Sequence, residues 1–161
     1  MITILGPTAT GKTNFAVYVA SQLNGEIISA DSRQVYRGMN IGTGKDITEY
    51  QLDGVEIPYH LIDIVDPGYE YNVYEFQHDF LKAYEKIESN GTFPILCGGT
   101  GMYIESVLKG YKLINVPANQ ELREDLAGLA DNELEAKLED LKAQHNTTDS
   151  SDRDRMIRAI E

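Results

Sequence analysis

The sequence predicts an α/β protein, a parallel sheet with helices on both faces, followed by a smaller all-helical part. Three observations predict it. Short apolar runs of strand length alternate with longer amphipathic stretches through the first 110 residues, and strand–helix–strand alternation builds a parallel sheet. Two of the short runs lead directly into glycine-rich junctions. Beyond Gly110 only charged, leucine-bearing helical patterns remain.

Ile2–Leu5 reads as the first buried strand. Lys12–Leu23 reads as a helix, with Phe15, Ala16, Val19 and Leu23 at helical spacing on its expected inner face. Residues 26–29 form the second strand. Residues 37–59 hold several Gly, Thr and Asp without sustained periodicity, so they are expected to be irregular apart from one short element. A connection of that length inside a domain is usually functional or mobile. Residues 60–64 give the third strand. Val73–Ser89 reads as a second helix with Phe76, Phe80, Ala83, Tyr84 and Ile87 on one face. Asn72 is its expected N-cap, and Asn90-Gly91 stops it. Residues 94–97 form the fourth strand and 102–108 a short helix. Residues 119–129, 131–143 and 152–160 complete the pattern as helices. Met156, Ile157 and Ile160 are still in register at the end and no capping signal follows. The chain is therefore expected to be a truncated piece of something longer. The expected division is an α/β core over 1–112 and an incomplete helical subdomain over 113–161.

At 161 residues and 42% hydrophobic composition, the chain suits one soluble domain with a real core, or one domain plus a fragment. No apolar run approaches the ~20 residues that span a bilayer, so no membrane association is expected. No basic stretch precedes the first strand, which argues against a secretory signal. The single cysteine, Cys97, excludes an intrachain disulfide and suits a reducing, cytoplasmic setting. It lies in an apolar run, as a buried structural thiol does. His60, His78 and His145 lack metal-ligand spacing, so zinc is not expected. The net charge of −12 looks wrong for a protein that binds nucleic acid. Its distribution softens the objection: residues 1–45 hold Lys12, Arg33, Arg37 and Lys45 against only Glu26 and Asp31. The acidic surplus lies further along, where it aids solubility.

Gly6-Pro7-Thr8-Ala9-Thr10-Gly11-Lys12-Thr13 fits the GxxxxGK[ST] pattern, after a strand and opening a helix. The backbone N–H groups of such a loop form a nest for anions, and the helix N-terminus adds roughly half a positive charge. Lys12 reaches terminal phosphate oxygens and the Thr13 hydroxyl can hold Mg²⁺. The predicted fold is accordingly a P-loop NTPase-like sheet. The loop by itself names a phosphate or diphosphate binder and does not specify ATP.

Two further junctions belong to the same sheet edge, because ligands of such sheets sit outside the carboxyl ends of the strands. The second strand runs into Asp31-Ser32-Arg33-Gln34. Asp31 is placed to accept a proton from an attacking amine or alcohol, or to cap a helix, or to support a bound Mg²⁺. Position alone leaves these open. The fourth strand runs into Gly98-Gly99-Thr100-Gly101, where Thr100 either hydrogen-bonds a ligand or caps the helix that follows.

Taken together, GPTATGKT, NGEIISADSRQVYRGMNIGTGK, PYHLIDIVDP, PILCGGTGMYI and DRDRMIRAIE resemble the tRNA dimethylallyltransferase family, also called tRNA isopentenyltransferases. The stretches stand in the right order and cover nearly the whole chain. The resemblance implies that the P-loop, residues 6–13, holds the diphosphate of dimethylallyl diphosphate with Mg²⁺, with Lys12 and Thr10 among the catalytic groups. It implies that Asp31 contacts the target adenine and is the general base on its exocyclic amine. It implies tRNA contact through Asp31, Ser32, Arg33, Gln34, Thr100 and Arg123, and through Asp154, Arg155, Met156, Ile157 and Arg158 in the helical subdomain. The partner would be the anticodon stem-loop of tRNA, and the expected state is a monomer. Departures are Thr10 where serine is usual, Arg33 where methionine is common, Gly44 and Asp46 in place of Ala and Pro, and Tyr59 in place of His. The family continues for roughly as many residues again and supplies another arginine near the diphosphate. Two other readings stand beside this one: a P-loop kinase of a nucleotide or small molecule, and a non-catalytic phosphate-binding remnant.

Overall fold

A computed structural model of the protein describes residues 1–141 and 152–161. Contacts divide it into two compact units, Met1–Leu113 and Ile114–Glu161.

In the first unit, β1 (Ile2–Leu5), α1 (Lys12–Leu23), β2 (Gly25–Ala30), β3 (Gln51–Leu52), β4 (Val55–Glu56), β5 (Tyr59–His60), α2 (Val73–Ser89), β6 (Phe93–Gly98) and α3 (Gly101–Leu108) follow in order, with one 3-10 turn at Ile47–Glu49. The main sheet has the order β1-β6-β2-β5, and each adjacent pair is parallel. The two inner strands, β6 and β2, are buried almost throughout, as parallel strands covered on both faces must be. Their side chains alternate between two cores. Ile27, Ile95 and Cys97 pack with Ala16, Val17 and Ala20 of α1. Ile28, Ala30 and Leu96 pack with Phe76, Phe80 and Ile87 of α2 and with Tyr103 and Ile104 of α3. Phe76 and Tyr103 stack with centroids 4.1 Å apart, which locks α3 to α2.

The helix at Val73–Ser89 has the expected cap. Asn72 Oδ1 accepts from the Glu75 N–H at 3.1 Å, and the Glu75 carboxylate accepts from the Asn72 N–H at 3.1 Å. Three expectations need correction. The inner face of α1 is Ala16, Val17 and Ala20, whereas Phe15 and Leu23 are exposed. Small residues let the helix approach the sheet closely, and Phe15 lies outside that seam. The strand expected over 60–64 pairs only through Tyr59 and His60. Leu61 and Asp63 then take positive φ values of 62° and 55°, and the chain turns to bond the segment after β2, with Ile64 and Val65 N–H groups donating to the Val35 carbonyl. The region 37–59 is also more ordered than expected. β3 and β4 form an antiparallel hairpin turning at Asp53-Gly54, both at positive φ. Asp-Gly between apolar residues is a hairpin signal that periodicity alone passes over.

The second unit packs α4 (Gln120–Ala127), α5 (Asp131–Asp140) and α6 (Arg153–Ile160) around Leu126, Leu134, Leu138 and Met156. Asn119 caps α4 by accepting from the Leu122 N–H. The Arg153 guanidinium donates to the carbonyls of Ala127 and Leu129 at 3.0 and 2.8 Å, satisfying acceptors that the end of α4 leaves open. The last residues of the helix expected over 131–143, and His145, lie outside the described residues. Among the described residues no helix is long and apolar enough to cross a membrane.

Candidate phosphate site at the carboxyl ends of the strands

Strand register decides what meets at the sheet edge. Leu5 of β1 pairs with Gly98 of β6, and Gly98 pairs with Ala30 of β2. The three strands therefore end level, and the residues that follow them (Gly6, Gly99 and Asp31) leave the sheet in one row. Strands lie about 4.8 Å apart, so the row from Gly6 to Asp31 spans roughly 10 Å. Glycine is required at Gly98, because a Cβ there would stand 2.2 Å from the Ala30 carbonyl oxygen.

A cleft of about 200 Å³ opens over this row. Thr8, Ala9, Thr10, Gly11, Lys12 and Thr13 form one wall; Gly6 and Pro7 of the loop do not line it. Gly11 takes φ 80° at the N-cap of α1 and offers no capping side chain, so the first N–H groups of the helix are left for an outside anion. The Lys12 ammonium donates to the Pro7 carbonyl, which also accepts from the Thr10 hydroxyl at 2.8 Å. A phosphate entering the loop competes for both donors.

Asp31, Gln34, Ser29, Cys97 and Gly98 line the sheet side of the cleft. Asp31 Oδ1 accepts from the Arg33 N–H at 2.9 Å, which holds the carboxylate in a turn directly after β2. Its side chain is 19% exposed. It caps a turn and no α-helix begins there, which removes the helix-capping alternative. Gln34 accepts from the Ser29 hydroxyl at 3.2 Å and donates to the Gly44 carbonyl at 3.2 Å. Ser32, Arg33 and Thr100 do not line the cleft. Thr100 makes no side-chain cap on α3. Its Oγ1 accepts from the Ser32 N–H at 3.0 Å and donates to Ser32 Oγ at 3.3 Å, tying the third junction to the second. Burial pushes the Cys97 thiol up to about 11, so it stays protonated and is no nucleophile.

Sequence reasoning missed the far wall, which comes from the irregular region: Thr43, Gly44, Glu49 and Tyr50. An ion pair between a buried lysine and a half-buried aspartate secures it. Lys45, whose side chain is 1% exposed, bonds Asp63 and donates to the Tyr36 carbonyl at 2.9 Å. Asp63 reaches Lys45 because the chain leaves β5 at positive φ. Removing Asp63 leaves the buried Lys45 charge uncompensated, at a cost of about 3 kcal/mol. Asp63→Ala is expected to lower unfolding stability by that amount in urea titrations.

In the helical unit, Arg123 grips Glu161 with two bonds, Nε–Oε1 3.1 Å and Nη2–Oε2 2.9 Å, and Arg158 bonds the same carboxylate. Arg158 also donates to the Val116 carbonyl at 2.6 Å. Met156 is 4% exposed in the core of this unit, so its side chain is not available to an outside ligand, and Ile157 packs against that core. Asp154 and Arg155 are exposed on α6. Hydrogen bonds from Arg123 lead the interactions that hold the Glu161 carboxyl down at about 2, against an ordinary 4.5. A depressed carboxyl stabilises the fold above its unfolded pKa and loses that contribution as pH falls through the folded value. Helical ellipticity of this unit is therefore expected to decline between about pH 4.5 and 2, and Glu161→Gln to flatten that part of the titration.

Comparisons with known proteins identify the family. The IPP transferase family model matches residues 34–161. The chain is 62% identical over its full length to tRNA dimethylallyltransferase 1 of Parabacteroides distasonis, of which it covers 52%, and 63% identical to tRNA dimethylallyltransferase 2 of Bacteroides fragilis, of which it covers 53%. It thus spans about half the length of the curated relatives it matches. Among solved structures, it resembles the full-length tRNA isopentenylpyrophosphate transferase of Bacillus halodurans (TM-score 0.65, 38% identity, 99% of this chain and 54% of that one). A eukaryotic dimethylallyltransferase captured acting on tRNA aligns at a TM-score of 0.76 with 27% identity, over 98% of this chain and 40% of its own. Sequence match over most of the chain and a shared α/β architecture lead to one conclusion: this chain belongs to the IPP transferase family.

Proposed function

We propose that the protein transfers a dimethylallyl group from dimethylallyl diphosphate to the exocyclic N6 of the adenine next to the anticodon in tRNA. One observation carries the reading. The level ends of β1, β6 and β2 bring an anion-binding loop and a carboxylate to the two sides of one cleft, and relatives at 62% and 63% identity are named for this transfer.

The chemistry follows from the two sides. The allylic C–O bond breaks, its electron pair leaves on the diphosphate, and a new C–N bond forms to the adenine amine. Loop N–H groups and Lys12 stabilise the charge that builds on the leaving group. Asp31 accepts the proton that N6 releases, a contribution of the order of 10²–10⁴ in rate. The adenine leaves its stack to reach the cleft, at a cost of a few kcal/mol that is smaller in a loop. The oxygen donors of the cleft, the Thr13 hydroxyl and the Asp31 and Glu49 carboxylates, suit the hard cation Mg²⁺. Thr13 and the diphosphate would hold it, and it would add neutralising charge at the leaving group. Ser32, Arg33, Gln34 and Thr100 are taken as tRNA contacts beside Asp31, with Arg123, Asp154, Arg155 and Arg158 as those of the helical unit. The reading takes the protein as a cytoplasmic monomer.

The test is a transfer assay with labelled dimethylallyl diphosphate and an anticodon stem-loop oligonucleotide, run beside ATP hydrolysis and calorimetric binding of both phosphates. Label on the adenine is the expected result. ATP-dependent phosphoryl transfer would establish the kinase reading instead. Absence of both transfer and diphosphate binding would overturn the proposal.

A further inference from the structure

We propose that the Tyr50 hydroxyl is a ligand-binding donor of the cleft, placed to hydrogen-bond a phosphoryl oxygen of the bound diphosphate; this rests on the reading that the cleft takes a diphosphate. Tyr50 belongs to none of the three strand-end junctions. It follows the 3-10 turn at Ile47–Glu49 and lines the cleft together with Glu49 and Cys97.

Its position is held from several directions. Its N–H donates to the Ile47 carbonyl at 3.1 Å, and its carbonyl accepts from the Ile57 N–H at 2.8 Å. The ring packs with Ala16, Ala20 and Cys97 in the core beneath the cleft and lies 4.7 Å from the Tyr59 ring. The residue is 6% exposed, yet among the described residues its hydroxyl has no hydrogen-bond partner, while no fully buried side-chain oxygen or nitrogen there lacks one. The phenol oxygen therefore reaches open space. One flank of the ring borders an outer hollow with Gln51, Ile57 and Tyr59. The oxygen itself feels Cys97, Glu49 and Asp31 most strongly among its neighbours, and all three line the phosphate cleft.

The chemistry points to an oxygen-rich ligand. Burial, reinforced by Cys97, Glu49 and Asp31, raises the phenol well above its ordinary value, so it stays neutral and keeps its proton to donate. The open space beside the phenol oxygen admits water, and a phosphoryl oxygen that displaces it takes a stronger, charge-assisted hydrogen bond. A neutral donor also adds no charge that would compete with Lys12 for the anion.

The experiment titrates the unaltered protein, Tyr50→Phe and Tyr59→Phe with pyrophosphate and with dimethylallyl diphosphate in Mg²⁺ buffer, by calorimetry and by tyrosine difference absorbance. Tyr50→Phe keeps the ring and its packing and removes only the donor. Its affinity for pyrophosphate is expected to fall by about 10- to 150-fold, the range of a hydrogen bond to a charged group, with an unchanged thermal midpoint. Tyr59→Phe, which does not line the cleft, should bind as the unaltered protein does. A tyrosine difference band should accompany pyrophosphate binding in the unaltered protein and vanish in Tyr50→Phe. An unchanged affinity in Tyr50→Phe, or no band in the unaltered protein, overturns the proposal. Binding of pyrophosphate without dimethylallyl diphosphate would remove the prenyl-transfer reading and leave Tyr50 in its role.

Discussion

Asp31→Asn is expected to lower turnover in prenyl transfer by about 10²–10⁴-fold while leaving the fold and the affinity for dimethylallyl diphosphate intact. The substitution is close to isosteric. An asparagine Oδ1 still accepts from the Arg33 N–H, so the turn after β2 persists. What disappears is the capacity to take a proton. Amine attack on an allylic carbon without that acceptor must shed its proton to water, which is poorly placed for it. Single-turnover transfer measured beside calorimetric diphosphate binding separates the two effects: a loss confined to the chemical step marks a group acting in the transition state. Turnover equal to that of the unaltered protein would remove Asp31 as the base.

Lys12→Met should act on the other side of the cleft and in a different way. Methionine keeps most of the aliphatic stem that covers Gly6, whose Cα faces the Lys12 side chain closely enough that a Cβ would lie 3.5 Å from Lys12 Cδ. It removes the ammonium. A hydrogen bond to a charged group contributes about 1.5–3 kcal/mol, so diphosphate affinity is expected to fall roughly 10- to 150-fold. The chemical step should fall as well, because negative charge concentrates on the leaving oxygen as the C–O bond breaks. Thermal stability should hardly move, since among the described residues the ammonium bonds only the exposed Pro7 carbonyl. An unaltered diphosphate affinity in this variant would take Lys12 out of the site.

The parts of the site legible in the sequence are those carried by local pattern. The P-loop announces itself because Gly6, Gly11, Lys12 and Thr13 stand at set spacings between a strand and a helix, and Gly11 takes a positive φ. Asp31 is legible because it follows an apolar run of strand length, and strand ends of a parallel sheet are where ligands bind. The N-cap at Asn72 is legible because the capping box lies within four residues. The Asp53-Gly54 hairpin is equally local, but its strands of two residues each are too short to show a hydrophobic period.

Other features had no local signature. Phe15 and Ala16 are both apolar and adjacent, and only packing of α1 against β1, β2 and β6 decides which is covered. The run at 60–64 has the composition of a strand, but Asp63 serves Lys45, 18 residues away, and the chain bends to meet it. Thr100 stands in a helix-capping position and instead reaches Ser32, 68 residues away. The Arg123 pairing on Glu161 likewise joins residues 38 positions apart. Side chains with more than one chemically adequate partner are assigned by proximity in space, which sequence spacing does not report.

By itself, then, the sequence determined the class of the fold, the strand–loop–helix with the GxxxxGK[ST] pattern, the carboxylate after β2 and the family. Those depend on backbone conformation within a few residues, where glycine, capping side chains and hydrophobic period act directly. Only the tertiary structure decided that Leu5, Gly98 and Ala30 end level, that Lys45 and Asp63 secure the far wall, and that Tyr50 and Glu49 close the cleft. Each of these depends on contacts between segments distant along the chain, and their free energies exist only once the sheet has assembled.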